Sequence, residues 1–210
     1  MIIKKKMLRS IVIIFAILFF VAGCKNQKWS NECVDKANTL MDQENNQEAK
    51  KLLDEAIKAD PENMAAYLNR GLLNKRMENF DDAERDYDKA IELDPKEYRS
   101  YLNRGVLFAK MKRYERAEAD YNKALELNTK DFQIYESRGV LYQLIGKEEK
   151  ALEDYCKAVR LNAKDGYLFC QRGICYLNLK KFKEGLADLE KASSLGNKSA
   201  EEILGKLREK

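Results

Sequence analysis

Tyr-Leu-Asn-Arg-Gly stands at residues 67–71 and again, letter for letter, at 101–105. Tyr-Glu-Ser-Arg-Gly follows at 135–139 and Phe-Cys-Gln-Arg-Gly at 169–173, so the Arg-Gly pair recurs every 34 residues without slippage. A fixed period of this length marks a stack of supersecondary units, each too small to bury a core alone.

Working outward, Ala83, Tyr87 and Ala90 are echoed by Ala117, Tyr121 and Ala124, then by Ala151, Tyr155 and Ala158. Counting from Met64, the array divides into 30–63, 64–97, 98–131, 132–165 and 166–199. Each unit reads as two helices of about 14 residues around a two-residue turn, 64–77 and 80–93 in the second unit. Phe80, Ala83, Tyr87, Ala90, Ile91 and Leu93 keep the three-and-four spacing of an amphipathic helix. Gly71 and its copies, with Ala83 and Ala90, remove bulk where the two helices cross, and the Tyr87-type rings fill the space beside the crossing. Pro61 and Pro95 fall where a second helix ends, since proline cannot continue it.

The order aromatic, Gly, Ala, aromatic, Ala and often Pro resembles the tetratricopeptide repeat (TPR) family. The resemblance implies an all-α superhelical solenoid of five helix-turn-helix repeats. Both ends are atypical, as terminal repeats are. The first unit has Ala37 and Leu53 for the Gly and the aromatic but keeps Ala49, Ala56 and Pro61; the last has Gly185 and Leu189 for the Ala and the Tyr. Beyond Asn197 the period stops. Ser199 and Glu202 form a capping box, and Ala200, Ile203, Leu204 and Leu207 give one apolar stripe, so 199–210 reads as a capping helix and C-terminus.

Arg70, Arg104, Arg138 and Arg172 are each followed 16 residues later by an acid: Asp86, Asp120, Asp154 and Asp188. A hairpin can join these positions within a unit or across a junction. As exposed structural ion pairs they would each contribute about 0–1 kcal/mol.

The N-terminus reads as an address. Lys4, Lys5, Lys6 and Arg9 precede an unbroken apolar run, 11–22, too short for the roughly 20 residues of a bilayer span but suited to a signal-peptide core. Val21-Ala22-Gly23-Cys24 resembles the lipobox of bacterial lipoproteins. That resemblance implies removal of 1–23, a covalent lipid on Cys24, a short linker over 24–29 and repeats facing outward from the membrane. Lys25 replaces the family's inner-membrane retention Asp, which points to the outer membrane in a host with two.

Removing four basic residues with the signal brings 39 Lys and Arg to 35, equal to the 35 Asp and Glu. No single-sign bias remains to favour nucleic acid. The chain has no His, which removes the commonest general base and the usual zinc ligand sets. Asp81-Asp82 and Glu148-Glu149 open second helices, where negative charge complements the dipole. An enzyme is not expected, and no cofactor or metal is implied beyond the lipid on Cys24. Of the other cysteines, Cys33, Cys156, Cys170 and Cys175, the pairing considered is Cys156 with Cys170 or Cys175, on successive helices; the alternative is small buried hydrophobes.

The TPR resemblance also implies a concave groove lined by the second, fifth, ninth, twelfth and thirteenth residues of each first helix. Carried over, it offers Leu68 and Leu72; Arg99, Leu102 and Val106; Glu136, Val140, Gln143 and Leu144; Tyr167, Ile174 and Asn178. An apolar floor with polar edges suits a peptide or protein partner with apolar anchors. A carboxylate clamp is not expected, because Val34 and Asn103 replace two of its cations. These readings describe a lipid-anchored adaptor or scaffold of the bacterial envelope. An accessory regulator of an envelope enzyme, or an assembly factor for outer-membrane or pilus components, fits the same residues.

Overall fold

The computed structural model describes residues 26–208, and every regular element among them is helical. Cys24 and the apolar run before it lie outside the described residues. None of the described helices is long and apolar enough to cross a membrane.

The chain divides into two compact units, the first ending at Pro95 and the second beginning at Lys96. The first holds α1 (26–42), α2 (Asn46–Ala59), α3 (Met64–Arg76) and α4 (Phe80–Leu93). The second holds α5 (Tyr98–Lys110), α6 (Tyr114–Leu127), α7 (Phe132–Leu144), α8 (Glu148–Leu161), α9 (Gly166–Asn178), α10 (Phe182–Ser194) and α11 (Lys198–Arg208). Consecutive helices pack as hairpins, α3 on α4, α5 on α6, α7 on α8 and α9 on α10.

The ends of the helices follow from local chemistry. Asn63, Asp131 and Asp165 cap α3, α7 and α9, each accepting from a backbone N–H of the first turn. Asn63 also donates to the buried Ser30 hydroxyl, which in turn donates to the Ala56 carbonyl at 2.8 Å. Ser30 thereby ties α1 to the α2–α3 junction. Residues 26–29, expected as linker, are instead the first turn of α1. At the other end Asn197, not Ser199, caps the last helix: its side chain accepts from the Ala200 N–H at 2.9 Å, and the helix starts at Lys198.

The turn inside each repeat is tighter than a generic loop. The N–H of Lys112 donates to the Ala109 carbonyl and that of Arg113 to the Phe108 carbonyl, the pair of bonds that closes a Schellman cap. Glu78–Asn79, Gly146–Lys147 and Lys180–Lys181 repeat the pattern. The motif needs a left-handed residue, and φ is 62° at Glu78, 60° at Lys112, 71° at Gly146 and 59° at Lys180. Of these four, only Gly146 takes that conformation without a Cβ penalty. Lys112→Gly should therefore raise stability by about 0.5–1 kcal/mol and Gly146→Ala lower it by about 1 kcal/mol. Urea denaturation checks both; a destabilised Lys112→Gly would mean that the turn carries no strain.

The core is built on contact between a glycine and an aromatic ring. A Cβ added to Gly71 would lie 2.7 Å from Tyr87 Cε1, and one added to Gly105 would lie 2.7 Å from Tyr121 Cε1. The three tyrosines Tyr87, Tyr121 and Tyr155 are the largest fully buried side chains. In the last repeat the volumes are traded: Gly173 packs on Leu189, and Gly185 leaves room for Leu177, 2.7 Å from where its Cβ would be. The departures at 185 and 189 thus compensate one another.

Candidate functional site

Each recurring Arg–Asp pair closes within its own hairpin. Arg104 Nε and Nη2 each donate to Asp120 at 2.8 Å, Arg138 to Asp154 at 2.7 Å through both, and Arg172 to Asp188 at 2.6 and 2.8 Å. Arg70 holds Asp86 the same way and also reaches Asp54 at 2.7 Å. The pairs are not exposed. The aspartates keep 2% to 11% of their side-chain surface and the arginines 16% to 23%. Bidentate geometry suits the planar guanidinium, and the carboxylate raises the pKa of Arg172 and Arg138 despite burial. Their charge is spent inside the fold.

That leaves the first-helix faces. On α3, Leu68 is buried, while Leu72 is half-buried and packs against the core of Cys33, Ala37 and Leu53. On α5, Arg99 is exposed and pairs with Glu97 at 2.8 Å, Leu102 is buried and Val106 half-buried. On α7, Val140 packs beside Tyr142 and Tyr155, whereas Leu144 is 61% exposed. On α9, Tyr167 is 39% exposed and Ile174 packs beside Cys170 and Leu189. The ninth position of every one of these helices, Leu72, Val106, Val140 and Ile174, is an aliphatic side chain partly open to solvent.

Electrostatics single out one part of the second unit. Burial, followed by the nearby Asp165 and Asp131 charges, pushes the Glu136 carboxyl up from its ordinary range. The Tyr167 hydroxyl is also raised, first by burial and then by Glu136. A carboxylate disfavoured in this way is relieved by a cation brought to it.

Two residues expected on this face are engaged elsewhere. Gln143 accepts from the Tyr155 hydroxyl at 2.7 Å and donates to Cys175 Sγ, and Asn178 donates to Glu148 at 2.7 Å. Tyr155 Oη is buried, so position 143 needs a polar partner there. The pairing considered for Cys156, with Cys170 or Cys175, is not formed: Cys33, Cys156, Cys170 and Cys175 are free thiols, and Cys156 sits 3.9 Å from the Tyr176 hydroxyl. Sequence reasoning missed an apolar cleft of about 310 Å³ between α9, α10 and α11, where Phe182 is 61% exposed and Leu207 41%. Its signal was the apolar spacing of Phe182 and Leu186 on a helix with no further full repeat behind it. Among the described residues no cluster of His, Cys, Asp and Glu is arranged to hold a metal ion.

Residues 34–74, 65–97, 98–131 and 132–165 match family models described as tetratricopeptide repeat. No curated protein sequence matches significantly. Among solved structures, one from the functional characterisation of Pseudomonas aeruginosa pilF superposes with a TM-score of 0.77 at 19% identity, covering 81% of this chain and 78% of its own. MamA from Desulfovibrio magneticus RS-1 gives 0.69 at 18% identity, over 80% of this chain and 95% of its own. YrrB, described as a TPR protein with an unusual peptide-binding site, gives 0.66 at 20% identity, over 90% and 97%. At these identities the likeness is one of fold.

Proposed function

We propose, from the premise that this chain belongs to the tetratricopeptide repeat family, that it is a lipid-anchored adaptor of the bacterial envelope. It binds a protein or peptide partner on its first-helix faces and performs no chemistry of its own. The observation that carries the reading is the open aliphatic ninth position repeated on α5, α7 and α9 of the second unit, set among exposed residues such as Arg99, Leu144 and Tyr167. Periodic apolar surface with polar edges takes an extended or helical segment, and a few anchors dominate its energy. In the second unit Glu136, beside Asp131 and Asp165, favours a partner with a basic side chain next to its apolar anchor. The anchor itself rests on the lipobox-like Val21-Ala22-Gly23-Cys24 and the basic, then apolar, run before it. Confinement to a membrane raises the effective concentration of both partners, so modest affinity suffices.

In-cell crosslinking of a C-terminally tagged chain, with partners identified by mass spectrometry, tests this. The wild type should fractionate with membranes and capture a defined envelope protein. Leu144→Glu with Tyr167→Glu, both at exposed positions, should keep its helical circular dichroism and lose at least 90% of the capture. Cys24→Ser should leave the membrane fraction. Retention of the partner by the double variant would move the site off this face; membrane retention of Cys24→Ser would remove the lipid anchor.

A further inference from the structure

The apolar cleft between α9, α10 and α11, about 310 Å³ in volume, is a consequence of how the repeats stack. In the two repeats before it, the following hairpin covers the twenty-first residue. Glu118 on α6 accepts from the Tyr142 hydroxyl at 2.8 Å and pairs with Lys147 at 3.6 Å. Leu152 on α8 packs on a core that includes Cys175 of α9. The counterpart on α10 is Leu186, and among the described residues a single helix, α11, stands behind it. Leu186 stays exposed, as do Phe182 and Leu207, beside the cleft walls formed by Leu177 and Leu204. These are three of the eight exposed large apolar side chains among the described residues. Gathered in one cleft, they mark an interaction surface rather than the scattered single residues normal on a monomer.

The charges at its rim lie at opposite ends. On α10, Phe182, Leu186 and Glu190 stand at every fourth residue and form one stripe. The short connection 195–197 turns α11 back along α10, and the two helices pack together. Glu190 is four residues before Ser194, the end of α10, and Arg208 is ten residues after Lys198, the start of α11. At about 1.5 Å per residue they stand roughly 6 and 15 Å from the turn, with Leu204 and Leu186 at levels between them. Both charges line the cleft, and neither forms an ion pair among the described residues.

We infer that this face binds a second copy of the chain, with a two-fold axis close to Leu186. Such an axis lays the two α10 stripes antiparallel, so each Arg208 meets Glu190 of the other copy and the apolar side chains bury one another. An isologous interface must be complementary to itself, and an apolar stripe with opposite charges toward its two ends satisfies that condition. A lipid surface does not fit, because Glu190 lies in the stripe itself. Pairing through α9 to α11 uses neither the ninth-position side chains nor the lipid anchor. It presents two first-helix faces together, which raises avidity for a partner without any new contact.

Disulfide trapping on the full chain in cells decides it. A residue near a two-fold axis faces its own copy, so Leu186→Cys under a mild thiol oxidant should give a covalent dimer. The wild type, whose Cys33, Cys170 and Cys175 are buried, sets the background. Glu153→Cys, exposed on α8, controls for chance collision. The Leu186→Cys dimer should exceed both at least fivefold. In that chain Glu190→Arg or Arg208→Glu alone should cut the dimer at least threefold, since each sets like charges together, and the two combined should restore it to within twofold. All of these positions are exposed, so circular dichroism should show unaltered helicity. A dimer no stronger than the controls would overturn the inference, as would a combined reversal that restores nothing. A disulfide to a chain of different mass would give the cleft to another protein and overturn it too.

Discussion

Asp154→Ala is expected to destabilise the second unit by about 3 kcal/mol, the lower end of the roughly 3–5 kcal/mol for removing one partner of a buried ion pair. Asp154 keeps 2% of its side-chain surface and takes two hydrogen bonds of 2.7 Å from Arg138. Without it, Arg138 retains the Asn122 side-chain oxygen and the Tyr142 ring but no countercharge. The low end of the range applies because the guanidinium still has 16% access to water. Asp54→Ala is the internal control. That carboxylate also pairs with an arginine, yet it is 50% exposed, so its loss should cost at most about 1 kcal/mol. Replacing both partners, as Arg138→Met with Asp154→Leu, should recover stability to within about 1 kcal/mol of wild type, since neither charge is then buried alone. Urea midpoints and m-values for the set decide the matter. A loss under 1 kcal/mol for Asp154→Ala would make the pair equivalent to a surface contact.

Gly105→Ala should cost about 1–3 kcal/mol through overpacking. The new methyl would sit 2.7 Å from Tyr121 Cε1 and 3.3 Å from Asp120 Cβ. The ring cannot swing away, because Tyr121 is 1% exposed and walled in. Tyr121→Leu by itself should cost about 2 kcal/mol by leaving a void. Together the two changes should cost less than their sum, with a coupling of at least about 1 kcal/mol. The chain already contains the combination: the first repeat has Ala37 and Leu53 at these positions, both fully buried in one core. Strict additivity in the cycle would show that residue 105 and ring 121 do not compete for the same space.

These pairs mark how far the sequence could be read. The 34-residue recurrence placed both helices of each repeat, because Gly71, Ala83, Tyr87 and Ala90 encode volumes that only one crossing satisfies. It also matched Arg104 with Asp120 at a spacing a hairpin can close, but left open whether the pair forms within a unit or across a junction; the structure closes it within one hairpin. The recurrence did not show that the pair is buried, which depends on the neighbouring helices that cover it.

The candidate site was less legible for the same reason. Periodicity puts Leu72, Val140 and Ile174 on a helix face, yet how much of each is open depends on the core it leans against. Gln143 sits on that face by spacing, and a buried tyrosine hydroxyl claims it. No letter announces the left-handed backbone of Lys112, imposed by two hydrogen bonds of the cap. The sequence alone determined the repeat, its period and the hairpin partners, because each is written in local spacing. Only the tertiary structure decided burial and which polar atoms remain unpaired, because those belong to surfaces that several helices share.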